Sequence, residues 1–489
     1  LCFPLSYKVY FAIAFCVSTI IVTVATIHSI SISLTSIPIL LNNSLIKNLC
    51  IPSQKSRLTI FIFMPTVTGT NDIFGDVAEK FRFLESFASK YFKRFGFEEL
   101  RTPIIEYSWV FKKTLGDSSD IVMHQMYSFE DKDGKEIVLR PEGTAAAVRF
   151  FIEKLCHTNP RAKIFYIGPM FRRERPQKGR YRQFHQIGCE MFGFDSPESD
   201  AYLIFLLSEF LSNIEIKHKI EVNSVGCNLC RPNYSSALRE FFEGKILCED
   251  CQKRRERNPL RILDCKKDVE VVKDAPSILY FLCQKCKTHF DSVINNLEKF
   301  GVEFEVNPKI VRGLDYYTGT VFEVFSEKTS LAIAAGGRYD LLVEFMGGPK
   351  TPALGFAIGV ERVVEVLNFQ PDKKRLGLFI CYTSEGKEKA FDFFTKVVRS
   401  TKILRSFSFS GEEIIKELGD DDLKYHIANR FDISVETSKS LKSQIRYADS
   451  QNFRFVAIIG KNEIEKGTIT FRDLQNSQQF EMKEDELLF

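Results

Sequence analysis

Between Phe171 and Arg182 the chain places Arg172, Arg173, Arg175, Lys178, Arg180 and Arg182 against one acid, Glu174. A charge run of this kind is most often a solvated loop. Here it lies between two apolar stretches, Lys163–Gly168 and Gln186–Phe194, that read as strands. Gln186 and Glu190 are an even number of residues apart, so a strand puts both on one face. Guanidinium forks match phosphate oxygens bidentately. Arginines beside a carboxylate on a sheet face therefore suit a polyphosphate substrate with a cationic partner. A second set of chemistry-bearing residues is the cysteines. Of 13 in the chain, several fall in Cys-x-x-Cys pairs: Cys227 with Cys230, Cys248 with Cys251, and Cys283 with Cys286, with Cys265 left over. In a large chain this pattern points to metal or redox chemistry rather than to a secreted disulfide set. The spacing of the first two pairs fits a zinc ribbon built from Cys227, Cys230, Cys248 and Cys251. Plain reduced thiols fit as well.

Elements must position these groups. Val77, Phe81, Leu84, Phe87, Ala88, Tyr91 and Phe92 recur at helical spacing, and Gly96 ends that helix. Phe97–Thr102 reads as extended chain closed by Pro103. A helix is predicted over Ala201–Leu211 and a strand over Ile220–Val225. Residues 227–300 are Cys-rich, charged and without strand alternation, as an inserted segment would be. Strand patterns resume at Ile310, continue through Thr320–Phe325 and Ala332–Ala335, and give way to a helix near Glu361. The order predicts an α+β fold: a largely antiparallel sheet with flanking helices over 64–226 and 301–370. After a linker, Leu376–Tyr382, Lys387–Val398 and Phe455–Ile459 alternate as strand, helix, strand. That predicts a small α/β domain with parallel strands over 375–489.

Residues 1–63 stand apart. They carry Lys8, Lys47, Lys55 and Arg57 and no acid, and include the charge-free apolar run Val9–Ile27. By length that run could span a membrane. Met64 is the first methionine, and the reading adopted is that the folded protein starts there. A membrane anchor and an organelle transit peptide are the alternatives. Without these four cations the 67 basic residues fall to the number of acidic ones, 63, so the body is neutral and any nucleic-acid contact must rest on local patches. At 44% hydrophobic and 27% charged, 489 residues have an ordinary globular composition with room for two or three domains.

Several segments together resemble the class II aminoacyl-tRNA synthetases. Phe171-Arg172-Arg173-Glu174 is similar to their second motif, and Gly355–Arg362 to their third. Arg312-Gly313-Leu314-Asp315-Tyr316-Tyr317 and Ala334-Ala335-Gly336-Gly337-Arg338-Tyr339 resemble the histidine-specific segments of the histidyl-tRNA synthetase family. Leu139-Arg140-Pro141-Glu142-Gly143-Thr144 is a further likeness. Ser440–Ala448 and Phe455–Gly460 resemble the family's anticodon-binding domain, and Arg101–Pro103 the first motif, which forms a dimer interface. The resemblance runs from about Thr68 to the C-terminus.

It implies activation of histidine by ATP with Mg²⁺ on the β- and γ-phosphates, and then transfer to the terminal adenosine of tRNA(His). Catalytic roles fall to Arg172 and Arg312, on either side of the α-phosphate. ATP would also meet Glu174, at the adenine amino group, and Arg180 and Arg362, at the outer phosphates. Glu142, Gly143, Thr144 and Gln186 would surround the amino group of histidine, and Glu190, Tyr316, Tyr317 and Tyr339 its imidazole. A homodimer, a cytoplasmic location and no stable membrane partner complete the expectation; the location changes if the leader is genuine. In isolation Tyr316 and Tyr317 read equally as core aromatics and Gly336-Gly337 as a bulge. His124 and His185 receive no role.

Two other kinds of protein use this scaffold. A regulatory subunit of a histidine-biosynthetic phosphoribosyltransferase would lack the anticodon domain and some of the arginines. A kinase-linked sensor would carry a kinase glycine loop, and the chain has none.

Overall fold

Helix α1 (Asp76–Arg94) follows directly from its apolar spacing: Phe81, Leu84, Ala88 and Phe92 form its buried face. Asp76 and Glu79 in the first turn and Lys93 and Arg94 in the last complement the helix dipole. Gly96, at φ +77°, turns the chain out of it. The computed structural model describes residues 65–115, 121–311, 316–369, 375–400, 431–434 and 439–483. The apolar run Val9–Ile27 lies outside these. Among the described residues no helix is long and apolar enough to cross a membrane.

In chain order there follow β1 (Glu98–Glu99), β2 (Ile105–Tyr107), α2 (Ser108–Leu115), β3 (Tyr127–Glu130), β4 (Glu136–Leu139) and α3 (Thr144–Phe150). Next come β5 (Ala162–Phe171), β6 (Gln183–Phe192), α4 (Pro197–Asn213) and β7 (His218–Ser224). Residues 227–300 hold α5 (Arg231–Phe242), α6 (Glu249–Arg257), α7 (Val269–Val272) and α8 (Gln284–Lys299). Strands β8 (Phe304–Val306), β9 (Thr320–Ser326) and β10 (Ala332–Arg338) follow, then α9 (Leu342–Phe345), β11 (Ala353–Gly359) and α10 (Val360–Val366).

The described strands of this part form a large sheet, in the order β1-β5-β6-β11-β10-β9-β7-β8, and a small one, β2-β4-β3. Apart from the short parallel edges β1–β5 and β7–β8, pairing in the large sheet is antiparallel. One face carries Phe165, Ile187, Cys189, Ile220, Val222, Phe322, Val324, Phe356 and Ile358, and packs with residues of α1 and α4 in one buried core. The other face is nearly bare in its middle. The register lines up Gly168, Gln186 and Gly359, then Tyr166, Gly188, Ala357 and Ala335, then Glu190, Gly355 and Gly337. Small residues there leave a floor on which a ligand can lie.

Two expectations need correction. Ile310 is not in a strand: β8 ends at Val306, and the Ile310 carbonyl instead accepts from the buried Asn223 side chain at 3.0 Å. The extended segment after Gly96 yields only the two-residue β1.

The C-terminal part contains β12 (Leu378–Tyr382), α11 (Lys387–Ser400), β13 (Phe431–Ile433), α12 (Leu441–Ser450), β14 (Phe455–Ile459), α13 (Lys461–Lys466), β15 (Thr468–Asp473) and β16 (Gln479–Lys483). Strand β12 pairs parallel with β13 and β14, as expected. Strands β15 and β16 then add antiparallel, so this sheet is mixed. Ser440 caps α12 through Ser443 N–H, and the buried Gln444 exchanges two hydrogen bonds with the Tyr382 backbone. Lys442 and Arg446 stay exposed.

Candidate active site

Glu190 is the centre of the bare face. It is fully buried, and among the described residues three hydroxyls hold it and no cation pairs with it. Thr144 Oγ1 and Tyr166 donate to Oε1 at 2.8 and 3.1 Å, and Tyr339 donates to Oε2. Burial pushes its carboxyl up to about 8, against the pull of these hydroxyls, and the nearby Glu142 pushes the same way. A carboxylate has about four acceptor positions, so one remains. The room for this arrangement comes from glycine. A Cβ on Gly355, the residue paired with Glu190, would stand 1.7 Å from Oε2.

Tyr166 was not anticipated from sequence. Its ring lies in a slot made by Gly143 and Gly188, where a Cβ would fall 2.1 and 2.2 Å from ring atoms. The available signal was the pair of glycines facing an aromatic strand position. Tyr316 and Tyr317 close the chamber, their rings 4.7 Å apart, with Tyr316 edge-on to Tyr339 at 5.6 Å. All three tyrosines are buried.

Glu142 forms another wall. Its two oxygens accept from the Thr144 and Ala145 amides at 2.7 and 2.8 Å, so it tethers the exposed amides at the start of α3. Burial raises its pKa. Gln186 stands on the same face as Glu190, and among the described residues its buried side-chain oxygen has no partner.

A line of arginines leads away. Arg172 Nε donates to the Pro141 carbonyl at 2.8 Å, beside Glu142, and its guanidinium lies 5.2 Å from the Phe184 ring. Glu174 stands 3.9 Å from Arg172 and 3.7 Å from Arg180. Arg362 is fixed to the carbonyls of Gly179 and Ala332 at 3.0 and 2.6 Å, next to Arg180. The sequence-predicted arginines of the loop and of α10 thus converge. Arg312, expected to face the same phosphate, lies outside the described residues.

Some motif residues have structural duties. Arg338 points away from the chamber and pairs with the buried Asp200 of α4, which His289 of α8 also approaches at 3.3 Å. Burial pushes the Asp200 carboxyl up, but Arg338 and His289 hold it below the usual value. His185, given no role, bonds Glu361 at 2.8 Å.

The cysteines assort differently from the expected ribbon. Cys227 and Cys230 meet Cys283 and Cys286, while Cys248 and Cys251 meet Cys265 and Asp268. Cys227, Cys230, Cys248 and Cys251 therefore do not share one centre. Helices α5 to α8 intervene, and spacing along the chain cannot show which pairs the helices bring together.

Comparison with known proteins agrees with this geometry. The family model described as histidyl-tRNA synthetase matches residues 69–363, and an anticodon binding domain matches 412–488. The histidine–tRNA ligase of Thermodesulfovibrio yellowstonii is 43% identical over 432 residues, covering 86% of this chain and 96% of that protein. The one from Aquifex aeolicus is 40% identical, covering 86% and 99%. The crystal structure of apo Staphylococcus aureus histidyl-tRNA synthetase superposes with a TM-score of 0.68 at 29% identity, covering 87% of this chain and 99% of that one. A buried glutamate ringed by hydroxyls, a run of phosphate-matching arginines and these likenesses along the chain lead to one conclusion: this protein belongs to the histidyl-tRNA synthetase family.

Proposed function

We infer that this chain is a histidine–tRNA ligase whose amino-acid pocket is the chamber around Glu190. The observation that carries the reading is that carboxylate: buried and held by the hydroxyls of Thr144, Tyr166 and Tyr339. It accepts one imidazole N–H, and Tyr317 meets the ring from the side. Tyr316 and Tyr339 line the cavity. Glu142, the Gly143–Thr144 turn and Gln186 receive the α-ammonium, which supplies the donor that the Gln186 oxygen lacks. A site that hydrogen-bonds its ligand on several sides leaves buried groups unpaired when a residue without those groups enters. Rejection of about 10⁴–10⁵ is available from that effect alone.

ATP extends from the pocket along the arginines. In the first step a histidine carboxylate oxygen attacks the α-phosphorus in line, the bond to the β-phosphate bridging oxygen breaks, and pyrophosphate leaves. The attacking carboxylate is already ionised, so no general base is required. Arg172 and Arg312 stabilise charge at the α-phosphate, Arg180 and Arg362 hold the outer phosphates, and Glu174 receives the adenine amino group. Bound Mg²⁺ would supply charge neutralisation at the triphosphate. Glu221 and Glu323, opposite each other on the bare face, offer the hard oxygen donors that suit it. In the second step the terminal ribose hydroxyl of tRNA attacks the acyl carbon and AMP departs.

Residues 64–226 and 301–370 then make the catalytic domain, 227–300 an insertion and 375–489 the anticodon-binding domain. On the last, Lys442 and Arg446 on the exposed side of α12 suit phosphate contacts. A homodimer is part of the reading. Ile104, Ile105, Tyr107 and Trp109, just after Arg101–Pro103, expose large apolar surface that a second copy would cover. A cytoplasmic location accompanies it.

The test is histidine-dependent exchange of pyrophosphate into ATP by the purified protein, then charging of tRNA(His). Exchange is expected with histidine and absent with glutamine or phenylalanine. A protein that exchanges with none of these overturns the reading.

A further inference from the structure

We propose that residues 227–286 form a two-zinc module and that one of its ions braces the wall of the histidine pocket. The ligand atoms of Cys227, Cys230, Cys283 and Cys286 all lie within 4.8 Å of one another, and so do those of Cys248, Cys251, Cys265 and Asp268. The sulfur separations have the right size. Cys227 stands 3.6 Å from Cys230 and 3.8 Å from Cys283, and Cys248 stands 3.8 Å from Cys265. A tetrahedral ion with Zn–S bonds of about 2.3 Å sets its ligands about 3.8 Å apart. A disulfide requires about 2.05 Å, and the described cysteines are unbridged.

The surroundings also suit ligation. The Leu229 amide donates to Cys227 Sγ at 3.4 Å and the Cys283 amide to Cys230 Sγ at 3.1 Å, bonds that favour thiolates. The Cys248 amide donates to both Asp268 oxygens at 3.2 Å and so orients that carboxylate. Each set supplies four ligands and no open position, and thiolates with one carboxylate select Zn²⁺ in a structural role. The segment also needs such a staple. Cys251 and Cys265 lie within its small core, beside Tyr234, Leu238, Phe242 and Ile262, and small cores are commonly completed by a metal.

The first centre touches the pocket through the backbone. Val225 N–H donates to the Gly319 carbonyl at 2.8 Å, and Gly319 N–H to the Gly226 carbonyl at 3.1 Å, directly before Cys227. Arg231, directly after Cys230, donates through Nη2 to the carbonyl of Tyr317. An ion that fixes the Cys227–Cys230 turn therefore fixes both ends of the Tyr317–Gly319 segment. Arg231 is a positioning residue. This half of the proposal rests on the pocket reading above; the metal content does not.

Elemental analysis of the full chain, purified without chelator, should find two zinc ions per chain, and the cobalt-exchanged protein should show thiolate-to-cobalt absorption. Cys283→Ser should retain one ion and raise KM for histidine about tenfold, as loss of one charged hydrogen bond would. Cys265→Ser should retain one ion with KM unchanged. Arg231→Ala should retain both ions and still raise KM about tenfold, which keeps the bracing role open to test if Cys283→Ser does not fold. Less than one zinc per chain without cobalt–thiolate absorption, or iron in its place, overturns the module. Two ions with unchanged KM in Arg231→Ala overturns the brace. A protein with two ions and no histidine-dependent exchange instead refutes the pocket reading.

Discussion

A carboxylate whose pKa is raised by folding binds its proton more tightly in the native state than in the unfolded chain. For Glu190, at about 8 in the fold, stability is therefore lost as pH climbs from the ordinary carboxylate range towards 8, and changes little from this source beyond it. Glu190→Gln should remove that dependence. The melting temperature of the unliganded variant should exceed wild type by more at pH 8.5 than at pH 5, while histidine exchange is lost. Equal differences at both values would mean that Glu190 does not titrate in this window. Gly355→Ala tests the same carboxylate by volume. The added methyl overlaps Oε2, so Glu190 must move, and a displacement near 1 Å costs on the order of 10² in kcat/KM. Steady-state exchange kinetics would read this. At this scale the sequence was partly legible. Glu142, Thr144, Glu190, Tyr316, Tyr317 and Tyr339 gather where the motifs implied. Tyr166 was invisible because its role comes from the gap between two glycines, and that gap exists only once β5, β6 and the turn before α3 are assembled.

At the scale of elements, helical and alternating periodicities located most of the scaffold, since each element buries one face. Short edges were read poorly: the extended segment after Gly96 shrinks to β1, β8 is too brief to alternate, and Ile310 is apolar because it is buried in a loop. The cysteine grouping failed for a related reason. Which pairs meet depends on how α5 to α8 fold back, not on the intervals between pairs. The contact of β10 with α4 gives a prediction of its own. Arg338 and Asp200 are both almost fully buried. Removing Arg338 leaves the buried Asp200 with His289 as its remaining charged neighbour, and breaking a buried pair costs about 3–5 kcal/mol. Arg338→Ala should lower the denaturant midpoint by that amount of stability in equilibrium unfolding; a change below 1 kcal/mol would mean that the pair is not needed.

For the whole molecule, composition indicated a body without net charge, and the arginines of the candidate site come from the Phe171–Arg182 loop and from Arg362 of α10. The apolar skin at Ile104–Trp109 is the feature that a lone chain handles worst. Ile105→Glu combined with Trp109→Glu should convert a dimer to a monomer in sedimentation analysis, because each copy would bring two charges into an otherwise dry contact. A double variant with the sedimentation of wild type would place the interface elsewhere.

The bare sheet face beneath Glu190 also limits how this site can change over evolutionary time. Most of its floor is already glycine and alanine, so substitution at those positions mainly fills space. A route to a bulkier amino acid must pass through the walls instead. Thr144, Tyr166 and Tyr339 are among those walls, and each also holds the buried carboxylate. A step that widens the chamber at these three therefore first loosens the carboxylate proposed to read the ligand, and drift towards a new specificity by that route crosses an inactive intermediate.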